Sequence, residues 1–138
     1  MKSKQITAGF SLIEVMIVVA IIAIVAVIAV PSYTSYIERS KCTDAQGDLL
    51  ELAQWMERRY ASNFSYRTAA NAAPTLPFDE SPQDASAAQA AFNITVATPD
   101  NSSFTLTAEP TARIRDIADG GACGALTLDN AGVESGWI

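Results

Sequence analysis

Between Phe10 and Val30 every side chain is uncharged except Glu14, and Pro31 follows at once. Folded as a helix, that run spans roughly 31 Å, about the thickness of a bilayer's hydrocarbon core. Beyond Pro31 the pattern takes on a helical period. Cys42, Ala45, Leu49, Leu52, Met56 and Tyr60 recur at steps of three or four, and Glu38, Asp44, Asp48, Glu51 and Glu57 mark the wet side. The spacing predicts an amphipathic helix over 32–60, with Arg58 and Arg59 near its carboxyl end, where they suit the macrodipole. Proline fixes its own φ and lacks an amide donor. Pro31 is therefore expected to kink or loosen the helix around Val27–Pro31 rather than end it.

From 61 to 91 the periodicity breaks. Asn63, Pro74, Pro77, Ser81 and Pro82 punctuate the segment, which predicts a long loop with one short helical turn near Ala85–Ala91. Tyr60, Phe64, Tyr66 and Phe78 are the aromatics expected to pin that loop to a core. Strand signals follow. Phe92, Ile94 and Val96 alternate with polar or small residues, Pro99 to Ser103 supplies a turn, and Phe104, Leu106 and Ala108 alternate again. A third strand fits Ala122–Leu128, ended by Asp129-Asn130-Ala131-Gly132, and Val133–Trp137 makes a short fourth. The apolar face of the helix needs a cover, and this sheet is the element available. The predicted class is α+β, a long N-terminal helix packed on a three- or four-stranded antiparallel sheet.

Composition narrows the chemistry. The chain has 138 residues and a net charge of −6. With the first part given to the apolar run, about 105 residues remain, enough for one modest core but not two. The sequence contains no His, which removes Ser-His and Cys-His nucleophile pairs, imidazole bases and most zinc sites. Gly120-Gly121-Ala122-Cys123-Gly124 lacks the Lys and Ser/Thr of a phosphate loop. No catalytic residue, cofactor or metal is expected. An acidic chain without basic runs also argues against broad electrostatic binding of nucleic acid. Arg113 and Arg115, before Asp116 and Asp119, read as a solvated loop.

Glu14 is the costly residue, because a carboxylate at the centre of a spanning helix costs about 2.5–3.5 kcal/mol by insertion scales. Three fates suit the segment that holds it. One is an ordinary signal anchor. Another is a secretory signal peptide with Lys2 and Lys4 as its basic region and cleavage near Val27-Ile28-Ala29, although the apolar run exceeds the usual 7–15 residues. The third is cleavage before the run, between Gly9 and Phe10. The short basic leader ending in Gly9, then Phe10, Glu14 at the fifth position after the cut, and an Ile/Val/Ala-rich helix with Pro31 together resemble a type IV prepilin. The resemblance covers residues 1–31. It implies that a prepilin peptidase cuts after Gly9 and methylates the new amino terminus of Phe10. Loss of Lys2 and Lys4 would then take the net charge from −6 to −8.

The resemblance divides the chain into a leader, 1–9, a transmembrane and filament-core helix, 10–31, and a periplasmic head, 32–138. The head comprises the helix 32–60, an αβ-loop, 61–91, and a sheet, 92–138. It implies a single-pass inner-membrane protein that leaves for an extracellular pilus, with other pilins, the prepilin peptidase and the inner-membrane assembly platform as partners. Individual pilus proteins bind DNA through a few local cations, so the acidic balance is not absolute. It also gives Glu14 a partner, the amino terminus of a neighbouring subunit, which would reward one stacking register. A Glu that only snorkels at the cytoplasmic face is the plainer alternative.

In an oxidising periplasm Cys42 and Cys123 are expected to form a disulfide, closing about 80 residues and contributing roughly 4 kcal/mol by loop-closure entropy. Two free buried thiols are the alternative. That spacing departs from many major pilins, whose cysteines bracket a loop near the carboxyl end. The stretch from Cys123 to Gly132 and the neighbourhood of Glu57-Arg58-Arg59-Tyr60 instead resemble PilE-type minor pilins. A minor subunit that primes or caps assembly is favoured over a major pilin, a type II secretion pseudopilin or a monomeric anchored binding module.

Overall fold

The computed structural model describes residues 10–114 and 123–138. The chain divides into two compact units, Met1–Thr34 and Ser35–Ile138. Helix α1, Leu12–Asn63, contributes to both. It opens at Ser11, whose carbonyl accepts from the amides of Glu14 and Val15, and Pro31 does not end it. Its close is a left-handed residue, Phe64 at φ 52°, whose amide donates to the Tyr60 carbonyl at 2.7 Å. Because the helix runs to Asn63, its last turn holds no basic residue. Arg58 and Arg59 thus stand a turn short of the place where they would serve the macrodipole.

In the first unit the apolar run buries nothing. Leu12, Ile17, Ile24 and Ile28 are all more than half exposed, and the apolar window has a mean hydropathy of 3.2 with none of it buried. A helix that is apolar all round and uncovered is suited to a membrane or to neighbouring helices.

The second unit is built the opposite way. Cys42, Ala45, Leu49, Leu52 and Met56 are completely buried, forming one stripe of α1. They share a core with Phe92 and Ile94, Leu106 and Ala108, and Leu126 and Leu128. Those residues alternate along β2 (Phe92–Ala97), β3 (Thr105–Pro110) and β4 (Leu126–Asp129). With β1 (Glu80–Ser81) and β5 (Glu134–Ser135), the described residues form a five-stranded sheet in the order β1-β2-β3-β4-β5, with every pairing antiparallel.

The two strands beyond the central three are β1 (Glu80–Ser81) and β5 (Glu134–Ser135). The first lies inside the segment expected to be a long loop with one short helical turn. Two residues are too few to display a period of two, so β1 is visible only through its pairing with Asn93 and Phe92. The segment near Ala85–Ala91 makes one hydrogen-bonded turn, with the Gln89 and Ala90 amides donating to the Ser86 carbonyl. Strand β4 starts at Leu126, not Ala122. Its last partner is Ala108, and Pro110 brings no amide donor beyond that point. Cys123 therefore precedes the strand, and Ala122 lies outside the described residues.

Cys42 and Cys123 are joined in a disulfide, with Cα atoms 6.4 Å apart and a sequence separation of 81. Both residues are fully buried.

Asp48 is not on the wet side. It is half-buried, and its Oδ2 is enclosed without a hydrogen-bond partner, as is the Oγ of the fully buried Ser81. Burial pushes its carboxyl above the usual carboxylate range. The nearby Ser81 hydroxyl opposes that shift, and Asp44, Glu51 and Asp84 add to it.

The disulfide and Asp48 can each be tested by substitution. Replacing both cysteines by Ala is expected to lower unfolding stability by roughly 4 kcal/mol, read by denaturant titration; an unchanged midpoint would contradict it. A carboxyl raised in the folded state holds its proton more tightly there than in the unfolded chain. Its stabilising contribution is present in acid and lost as pH rises through the folded value. Asp48→Asn is therefore expected to raise the melting midpoint at neutral pH, with the gain shrinking toward the normal carboxylate range. Melts across that window decide it.

Candidate assembly and binding surfaces

Three places hold the residues singled out in the sequence. The first is the start of α1, where Phe10 is 83% exposed and Glu14 occupies the first helical turn. With Val15, Val18 and Val19 these residues line a shallow concave patch of about 270 Å³. Phe10 precedes α1, which starts at Leu12, and Glu14 lies in its first turn. Gly9, on the other side of the expected cut, lies outside the described residues, as does the leader.

The second place is the loop after α1. Arg67 clamps it to the β2–β3 turn. Its Nε donates to the Thr98 carbonyl at 2.8 Å, its Nη1 to Asn71 Oδ1 at 2.9 Å, and its Nη2 to the Pro99 carbonyl. The Tyr66 amide donates to the Asn101 carbonyl at 2.9 Å, so the same turn is held twice. That turn is tightened by Asp100, whose Oδ1 accepts from the Ser102 amide and hydroxyl. Those contacts hold the Asp100 carboxyl below the usual range.

Tyr66 itself is buried. Its ring lies 4.6 Å from that of Tyr60 and meets Phe104 edge-on at 4.9 Å, and its hydroxyl donates to Glu57 Oε1 at 2.7 Å. Burial, then the Glu57 carboxylate and Tyr60, push the phenol up to about 12. Tyr60, Tyr66 and Phe78 pack on the core as expected. Phe64 does not: its side chain is 81% exposed, because the left-handed backbone that ends the helix turns it outward.

Beside this loop is a cavity of about 560 Å³ lined by Arg59, Asn63, Ser65, Arg67, Thr68 and Asn71, with Ala69 and Asn101. None of those side chains is a carboxylate. Arg59 Nε is buried there without a partner, and its Nη2 reaches the Arg67 carbonyl at only 3.4 Å. Cations, amides and hydroxyls without a counter-charge suit an anionic group. The sequence had singled out Arg59 for the helix end and Arg113 with Arg115 as a local cation pair. Arg113 is exposed, and Arg115 lies outside the described residues. Nothing in the spacing of Arg59 and Arg67 signals that a loop folds one back beside the other.

The third place is the acidic side of α1, where Thr43, Asp44, Gly47, Asp48, Gln83 and Asp84 border a cavity of about 390 Å³ with Pro82. Among the described residues no group of three His, Cys, Asp or Glu side chains is placed to hold a metal ion.

Comparison with known proteins agrees with both halves of the chain. Residues 31–127 match the family described as type IV minor pilin ComP, DNA uptake sequence receptor. Residues 6–30 match the prokaryotic N-terminal methylation motif. Among solved structures, the non-core minor pilin PilV of Neisseria meningitidis is 26% identical, with 73% of this chain and 87% of that one covered and a TM-score of 0.50. A type IV pilin from Shewanella oneidensis is 27% identical, covering 73% of this chain and 98% of its own, with a TM-score of 0.48. No curated protein matches.

Proposed function

The chain belongs to the type IV minor pilins of the ComP family, and on that footing we propose that it primes or caps pilus assembly after processing between Gly9 and Phe10. Phe10 becomes the methylated amino terminus. The apolar run from Phe10 to Val30 holds the subunit in the inner membrane with the head, 32–138, in the periplasm. The assembly platform then passes it into a filament with other pilins, and Pro31 is where the helix loosens. The observation that carries this reading is the uncovered apolar run of α1 with Glu14 as its only charge.

The physical case rests on pairing. An unpaired charge in low dielectric is expensive, and an opposite charge offsets much of the cost. When helices stack with a stagger, the amine of one subunit meets Glu14 of the next in one register. Mass spectrometry of the mature protein is expected to give a chain starting at N-methyl-Phe10. An intact Met1, or a start near Val30, would sink the reading. Glu14→Ala is expected to leave the head folded and to reduce incorporation into sheared pili severalfold; normal incorporation would count against the pairing.

A second reading, that the head captures DNA, draws on the family's description and on the carboxylate-free cavity at Arg59 and Arg67. A net charge of −6 opposes non-specific binding, so contact would be confined to this local cation group and the exposed Phe64 ring. Fluorescence anisotropy with duplex DNA and the full chain in detergent tests it. Arg59→Gln is expected to reduce the salt slope by about one, and Phe64→Ala to weaken binding severalfold through loss of an apolar contact at a base edge. Binding that neither variant alters would exclude this surface.

A further inference from the structure

Tyr33 is 67% exposed and Tyr36, in the next turn of α1, is 71% exposed. Neither ring belongs to the core. Exposure alone says little, but the position of Tyr33 is informative. It stands three positions after Val30, about 4.5 Å further along the helix axis. The headgroup layer on each side of a bilayer core is roughly 5–7 Å thick. A phenol suits that layer, with its ring toward the acyl chains and its hydroxyl in the wet zone.

We propose that Tyr33 is an interfacial anchor that docks in the phospholipid headgroup layer on the periplasmic side and thereby sets the depth of Glu14. This rests on the membrane-anchored reading above. Continuity with the uncovered apolar run selects lipid as the occupant, since the same helix surface is already committed to the bilayer up to Val30. With Tyr33 in the headgroups, Glu14 lies about 28 Å lower on the axis. That places it about 6 Å inside the cytoplasmic edge of a core about 30 Å thick. From there a carboxylate can snorkel to water. Raising the helix by one turn of about 5.4 Å would lift Tyr33 out of its layer and draw Glu14 inward, where its cost grows. The anchor therefore keeps Glu14 beside the interface at which the new amino terminus of Phe10 is made.

The test uses the full chain in vesicles of phosphatidylethanolamine and phosphatidylglycerol. Tyr33→Trp is compared with the parent, so that the two native Trp residues cancel, and quenching is read with lipids brominated at successive acyl depths. The expected result is a loss of the added emission that is strongest for bromines nearest the headgroup and fades toward the bilayer centre. Strongest quenching at the centre overturns the proposal, as does quenching by aqueous iodide without any by lipid. A shallow signal seen only at high protein-to-lipid ratio assigns the ring to a neighbouring subunit and also overturns it. Flotation of the vesicles is scored first. A chain that fails to float with them refutes the membrane anchoring itself, whereas a chain that floats with the introduced indole at the wrong depth refutes only the anchor.

Discussion

Helix α1, from Leu12 to Asn63, is the element on which the rest depends. A spanning segment must satisfy its amides and carbonyls internally, because hydrocarbon offers no partner. An α-helix does so in any solvent, which lets one element serve both units while its side chains change purpose. Before Pro31 all faces are apolar and uncovered. From Cys42 to Met56 a single stripe is buried and the sheet exists to cover it.

That division explains where polar residues become expensive. Glu14 is the charge in the apolar run, and its cost is recovered only beside water or an opposite charge. In the head, Asp48 is the analogous case on a smaller scale. It lies at the margin of the buried stripe, crowded by Asp44, Glu51 and Asp84 and facing Ser81 across the helix–sheet boundary.

The loop after α1 joins the core to the outer surface. Tyr66 anchors it inward against Tyr60 and Phe104, and Arg67 anchors it sideways to Thr98 and Pro99. With the loop held at both points, Arg59 and Arg67 border one cavity free of carboxylates on an otherwise acidic chain. Phe64 is left outside because the helix ends on its left-handed backbone.

Much of this was legible from pattern alone. The apolar run, the stripe Cys42–Ala45–Leu49–Leu52–Met56 and the alternation of Phe92–Ile94 and Leu106–Ala108 are local periodicities, and local periodicity is what a sequence carries directly. The N-terminal methylation motif over residues 6–30 was legible because it too is a local signal. Other features depended on contacts between distant residues, and these only the tertiary structure decided. Strand β1 has two residues and is defined by its partner rather than by its own spacing. The start of β4 depends on where Pro110 stops offering an amide. Asp48 read as solvent-facing by helical phase, yet Ser81, thirty-three residues away, closes over it. Arg59 and Arg67 meet in one cavity because Tyr66 turns the loop back. Sequence period determines which face of an element is buried; which residues of different elements share a boundary is set only when the chain is packed.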